Sequence, residues 1–101
     1  MKVTWTRKAD TSFNAIVDYL LDIWPIEIAT NFVDEVDHTV ELIVKNPEMF
    51  KVSQYDNISR EAFITKHTTM FYRILNDSIE IEYFWGNFDD PEKINKLLKF
   101  K

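Results

Sequence analysis

Two arginines, Arg60 and Arg73, stand in the second half of the chain with Lys45, Lys51, Lys66 and His67 around them. A guanidinium is a planar fork of donors that grips a phosphate or a carboxylate through parallel hydrogen bonds. An imidazole, with an ordinary pKa near ~6.5, exchanges a proton at neutral pH. Such a set suits phosphate contact and acid–base work on a polyanion. The rest of the chain pulls the other way. Seventeen Asp and Glu against twelve Lys and Arg leave a formal net charge of −5 over 101 residues, and a field of that sign repels nucleic acid, whose binding rests largely on phosphate neutralisation. Only a local basic patch reverses it. Each candidate also has a plain structural role. Arg73 follows Phe71 and Tyr72 in an apolar run, where a buried charge must be paired, so organising the sheet competes with phosphate contact. Arg60 opens a strand, His67 falls at a turn beside Lys66, and His38 sits among Asp37, Thr39 and Glu41 on a solvated helix face.

Other constellations fail on residue type or spacing. His38 and His67 share no metal-ligand spacing with a third partner, so no metal is expected. The carboxylate pairs Glu80/Glu82 and Asp34/Glu41 read as surface charges. A lone Gly86 cannot build a phosphate-cradling loop, and no nucleotide or other cofactor site is expected. Without Cys there is no disulfide framework, thiolate site or Cys nucleophile, which points to a reducing, cytoplasmic setting. No apolar run approaches the ~18 residues of a membrane span, and the N-terminal residues lack a secretory apolar segment. The expectation is a soluble protein with no membrane partner.

The elements that would position these residues follow from periodicity. Lys2-Val3-Thr4-Trp5-Thr6 alternates and is β-branched and aromatic, predicting a strand. Phe13, Ile16, Val17, Leu20, Leu21 and Trp24 recur at three and four, predicting an amphipathic helix with Asp10, Thr11 or Ser12 as cap. Pro25 breaks it and starts a second helix, running to about Asn46 on the stripe Ile28, Ala29, Phe32, Val33, Val36, Val40 and Ile43. Asn46-Pro47 stops that helix. A short strand is possible around Val52. Three β-rich runs follow, 60–65, 69–75 and 79–85, with a tight reversal at Asn76-Asp77-Ser78. In the last run, Ile79, Ile81, Tyr83 and Trp85 are expected on the covered face and Glu80 and Glu82 on the wetter one. Asp90-Pro91 starts a short terminal helix carrying Ile94, Leu97 and Leu98. With no linker or repeat visible, residues 1–101 read as one α+β domain. An N-terminal strand and an antiparallel two-helix hairpin precede an antiparallel sheet of three to four further strands, covered by that hairpin.

The ordered set resembles the RelE/ParE superfamily of type II toxin–antitoxin toxins over nearly the whole chain. The residues that carry the resemblance are Val3-Thr4-Trp5 leading to Ala9, Ile16-Val17-Asp18-Tyr19-Leu20 with Trp24, and Val44-Lys45-Asn46-Pro47-Glu48-Met49. Arg60, His67 before Phe71-Tyr72-Arg73-Ile74, the strand 79–85 and Asp90-Pro91 complete it. The resemblance implies a small toxin neutralised by a cognate antitoxin. RelE-like members cleave mRNA on the ribosome; ParE-like members poison DNA gyrase without being nucleases. Under the nuclease alternative Arg60, Arg73, Lys51, His67 and Tyr72 are the catalytic candidates, since 2′-hydroxyl activation and phosphorane stabilisation need clustered basic and acid–base groups. The chain departs from that pattern where it reads Trp85-Gly86-Asn87-Phe88-Asp89-Asp90-Pro91, with acids in place of the usual bases. A ParE-like protein-binding poison is therefore expected rather than an enzyme, or a non-toxic member that keeps only antitoxin binding. Arg60, Arg73 and Trp85 would meet the target. Trp24, Phe32, Leu97, Leu98 and Phe100 would offer an apolar groove to the antitoxin, by helix-in-groove packing or strand addition.

Overall fold

The structure, a computed structural model, describes residues 1–86. The expected terminal helix, with Leu97, Leu98 and Phe100, lies outside the described residues. Strand β1 spans Lys2–Trp5 and passes directly into helix α1, Arg7–Ile23. The cap is Thr6, ahead of the expected 10–12 segment. Its extended backbone ends the strand, and its Oγ1 accepts the Ala9 amide at 3.0 Å, satisfying one of the orphan donors of the first turn. At the other end Trp24 is extended (φ −116°, ψ 160°), as a residue before proline must be. Pro25 caps helix α2, Ile26–Lys45, which stops at Asn46 before Pro47.

Strands β2 (Arg60–Thr65), β3 (Thr68–Ile74) and β4 (Ser78–Gly86) form an antiparallel meander. Strand β1 joins it parallel to β4, so the sheet is mixed and runs β1-β4-β3-β2. The parallel pairing is possible because the helical hairpin supplies the long crossover that parallel neighbours require. The expected strand near Val52 is a single bridge to Arg60.

The hairpin covers one sheet face. Ile16, Leu20, Phe32, Val36 and Ile43 from the helices meet Ala62, Ile64, Met70, Tyr72, Ile79, Ile81 and Phe84 from the strands. The sequence reading of β4 is corrected at its middle. Tyr72 pairs with Ile81 and Phe71 with Tyr83, leaving Glu82 as an extra residue. One inserted residue reverses the inward–outward alternation beyond it. Phe84 consequently enters the core, while Tyr83 and Trp85, expected beside Ile79 and Ile81, face outward. Tyr83 stacks on Phe71 there, with ring centroids 4.5 Å apart.

The bulge has a visible cause in the start of α1. Beyond Trp5 the neighbour of β4 is no longer a strand but the first helical turns. The Thr6 amide donates to Ile81 O at 3.0 Å, Thr6 Oγ1 donates to Glu82 O at 2.7 Å, and the Phe84 amide donates to Ser12 Oγ at 2.9 Å. Two short hydroxyl side chains thus replace the missing ladder.

Candidate functional site

The sheet register separates the two arginines. Arg60 pairs with Tyr72 and shares its helix-covered side, whereas Arg73, one residue on, belongs to the outer face. Arg60 donates to Phe50 O at 2.7 Å and Glu48 O at 3.3 Å. Tyr72 lies beside it and donates its hydroxyl to Pro47 O at 2.6 Å. Burial pushes the Tyr72 phenol up, against the opposing pull of the Arg60 charge. Together these side chains tie the segment after α2 to the sheet. Lys51 is exposed within that segment. His67 occupies the β2–β3 turn at the far end of β2 from Arg60, and the five rises of about 3.3 Å along that strand separate them by roughly 16 Å. The five catalytic candidates of the nuclease alternative therefore do not converge.

On the outer face Arg73 pairs with Glu82, NH2 to Oε2 at 3.1 Å. Glu82 reaches this position because it is the bulged residue. Its other oxygen accepts from Ser59 Oγ, which also contacts Asp56 Oδ2 at 2.7 Å. Asp56 in turn accepts the amides of Ile58 and Ser59 at 2.9 and 2.8 Å. Loop 53–59 is thereby fastened over the sheet, with Asn57 in the left-handed region (φ 60°) that asparagine tolerates. The Ser59 hydroxyl first, then the two amides, hold the Asp56 carboxyl below its ordinary value. A carboxyl with a depressed folded pKa stabilises fully above its unfolded value near ~3.9, and that contribution disappears as pH falls through the folded value. We therefore expect the amide resonances of Ile58 and Ser59 to titrate below pH ~4 and that step to vanish in Asp56→Asn. An unchanged titration would refute the assignment.

The remainder of the outer face is aromatic and acidic. Phe63, Tyr83 and Trp85 share it with Glu61, Glu82 and Arg73. Burial, then the charges of Glu82, Asp56 and Glu61, raise the Tyr83 phenol, and Lys8 Nζ lies 4.7 Å from its ring centroid. Among the described residues no group of three or more His, Asp or Glu is placed to hold a metal. No described helix is long and apolar enough to cross a membrane.

The second surface lies at the hairpin tip. Leu21, Ile23, Trp24 (45% exposed), Ile26 (64%) and Ile28 are exposed apolar residues on either side of the α1–α2 corner. Beside it a groove of about 340 Å³ opens between the hairpin and the β2–β3 turn. Leu20, Trp24, Ile28 and Phe32 line its apolar side, and Thr65, Lys66, His67 and Thr68 its sheet side, with Asn31 and Glu35 also at its edge. Trp24 and Phe32, expected to meet a partner, are thus brought together. Phe32 is buried and serves from below, stacked on Phe13 at 5.6 Å, rather than as an exposed contact. The contribution of the β2–β3 turn was not read from the sequence.

An N-terminal strand, two helices and a four-stranded mixed sheet match the α+β fold of the RelE/ParE-superfamily toxins. The family described as "ParE toxin of type II toxin-antitoxin system, parDE" matches residues 3–85, and the chain belongs to it. Among solved structures, the chromosomal ParDE toxin–antitoxin system of P. aeruginosa contains a similar chain, with TM-score 0.71 and 22% identity. That match covers 87% of this chain and 97% of that one. A copper-bound mutant toxin from Helicobacter pylori is similar with TM-score 0.54 and 16% identity, over 85% of this chain and 93% of that one. These identities speak for the fold. No curated protein matches the sequence.

Proposed function

We propose that the protein acts as a cytoplasmic, protein-binding poison, with DNA gyrase as its target, and that a cognate antitoxin neutralises it by seating an apolar segment in the hairpin-tip groove. The observation that carries this reading is the disposition of the arginines. Arg60 is turned to backbone carbonyls on the covered side, and Arg73 is held by Glu82 on the other. An RNA-cleaving centre needs its cations and proton donors gathered on one surface, which the arrangement of these candidates among the described residues does not offer. Target contact then falls to the outer face, where Trp85 and Arg73 are presented; Arg60 supports it only through the fold.

Inducible expression in a bacterial host, with and without the adjacent gene, tests the reading. Expected are growth arrest with replication halting first and DNA-damage signalling induced, and relief when the neighbouring gene is co-expressed. A prompt translation block with transcripts cut inside codons would return the nuclease alternative. Growth unaffected at full expression would leave the non-toxic, antitoxin-binding member.

A further inference from the structure

The last strand of the sheet ends beside the hairpin-tip groove. Thr68, on the groove's sheet side, pairs in the β3–β4 ladder with Gly86, the final residue of β4. The chain therefore leaves the sheet next to the groove with residues 87–101 still to come, a segment beyond the 3–85 that the family shares.

We propose that this chain's own tail, residues 91–101, seats in the groove of the free protein with Ile94, Leu97 and Leu98 inward, and that the antitoxin must displace it. The seating stands by itself; the displacement rests on the antitoxin reading above. Reach agrees. The four residues 87–90 span at most about 14 Å, so a segment starting at Pro91 is held near the groove at a local concentration in the millimolar range. Pattern agrees. Ile94, Leu97 and Leu98 recur at i, i+3 and i+4, the anchor spacing of a helix laid in an apolar groove. Leu20, Trp24, Ile28 and Phe32 supply the apolar wall. An apolar cavity of about 150 Å³ takes a benzene ring, so about 340 Å³ holds two or three branched aliphatic side chains. Charge agrees in order as well as sign. Asp89 and Asp90 come first, where the tail passes Lys66 on the β2–β3 turn, and Lys93, Lys96 and Lys99 follow, where it meets the hairpin. From Ala9 to Val44 that hairpin carries eight Asp and Glu and no Lys or Arg, with Glu35 at the groove itself.

The test uses the full chain, which has no Cys, so that Asn95→Cys carries a single nitroxide label. The seated label is expected to broaden the Trp24 indole and the Ile28 and Lys66 amide resonances and to spare Asp56 and Asn57 on the far side of the sheet. In the same labelled chain, Leu97→Asp with Leu98→Asp should sharpen the groove resonances again, while the sheet resonances keep their wild-type positions and report an intact fold. Groove resonances that are never broadened, or are broadened alike with and without the double substitution, overturn the seating. Unlabelled Leu97→Asp/Leu98→Asp is expected to bind the antitoxin about 3–10-fold more tightly than wild type, as for a groove roughly two-thirds to nine-tenths filled by the tail in the free protein. An unchanged or weaker complex overturns the displacement and leaves the toxin reading standing. No complex with either protein overturns the antitoxin reading, while the resonances still decide the seating.

Discussion

Phe84→Ala is expected to lower stability by about 3–5 kcal/mol and Tm by roughly 15–30 °C, whereas Tyr83→Ala, one residue away, should cost only about 1–2 kcal/mol. Phe84 is 4% exposed and is the ring on which the covered face converges. Trp5 lies at 5.3 Å, Phe13 at 5.4 Å and Phe32 at 6.4 Å between centroids. These rings come from β1, α1 and α2, so the cavity left by alanine opens where three elements meet and none can close it alone. For a chain of this size, whose whole stability is about 5–15 kcal/mol, the loss brings the protein close to unfolding near physiological temperature. Thermal unfolding followed by circular dichroism reads both variants. The comparison also tests the bulge, because an unbroken alternation through β4 would bury Tyr83 and expose Phe84. A reversed ranking would remove Glu82 from its extra position, and with it the Arg73–Glu82–Ser59 chain on the outer face.

That bulge marks the limit of what the sequence disclosed. The hairpin was legible because Pro25 and Pro47 punctuate it and the 3.6-residue stripe between them is unbroken; these are local signals. The three later strands and their turns were legible for the same reason. The position of Thr6 was not, since a β-branched residue in an extended run reads as strand, and here it lies just past β1 as the cap of α1. Reading period two straight through 79–85 put Tyr83 and Trp85 on the wrong face. The inserted residue depends on Thr6 and Ser12, more than 70 positions away in the chain. The arginines show the same divide. Their types and spacing suggested a shared cationic site, but the register that pairs Arg60 with Tyr72 sets Arg73 on the opposite face. The groove was half legible. Trp24 and Phe32 belong to the periodic stripe, while Lys66, His67 and Thr68 join them only through the antiparallel return of β3.

The second large effect is expected in binding rather than in folding. Trp24→Ala should weaken the antitoxin complex by about 2–4 kcal/mol, the range of an interfacial tryptophan anchor, which is roughly 30–1,000-fold in Kd, and leave Tm within a few degrees of wild type. The separation of the two effects follows from how Trp24 is held. Its backbone amide closes α1 onto Leu20 O at 2.9 Å whatever the side chain. Its extended backbone conformation is imposed by Pro25, and 45% of the residue is already in water, so little core packing is lost. What alanine removes is the wall of the groove, near the exposed apolar residues Ile23, Ile26 and Ile28 of the corner. His38→Ala, on the solvated side of α2, should leave Kd unchanged and serves as the control. Titration calorimetry against the purified antitoxin gives the ratio. Should Trp24→Ala bind as tightly as wild type, the partner lies elsewhere, and among the described residues the outer strand β1 and the part of β2 beyond its bridge to Val52 would be the surfaces left to receive it by strand addition.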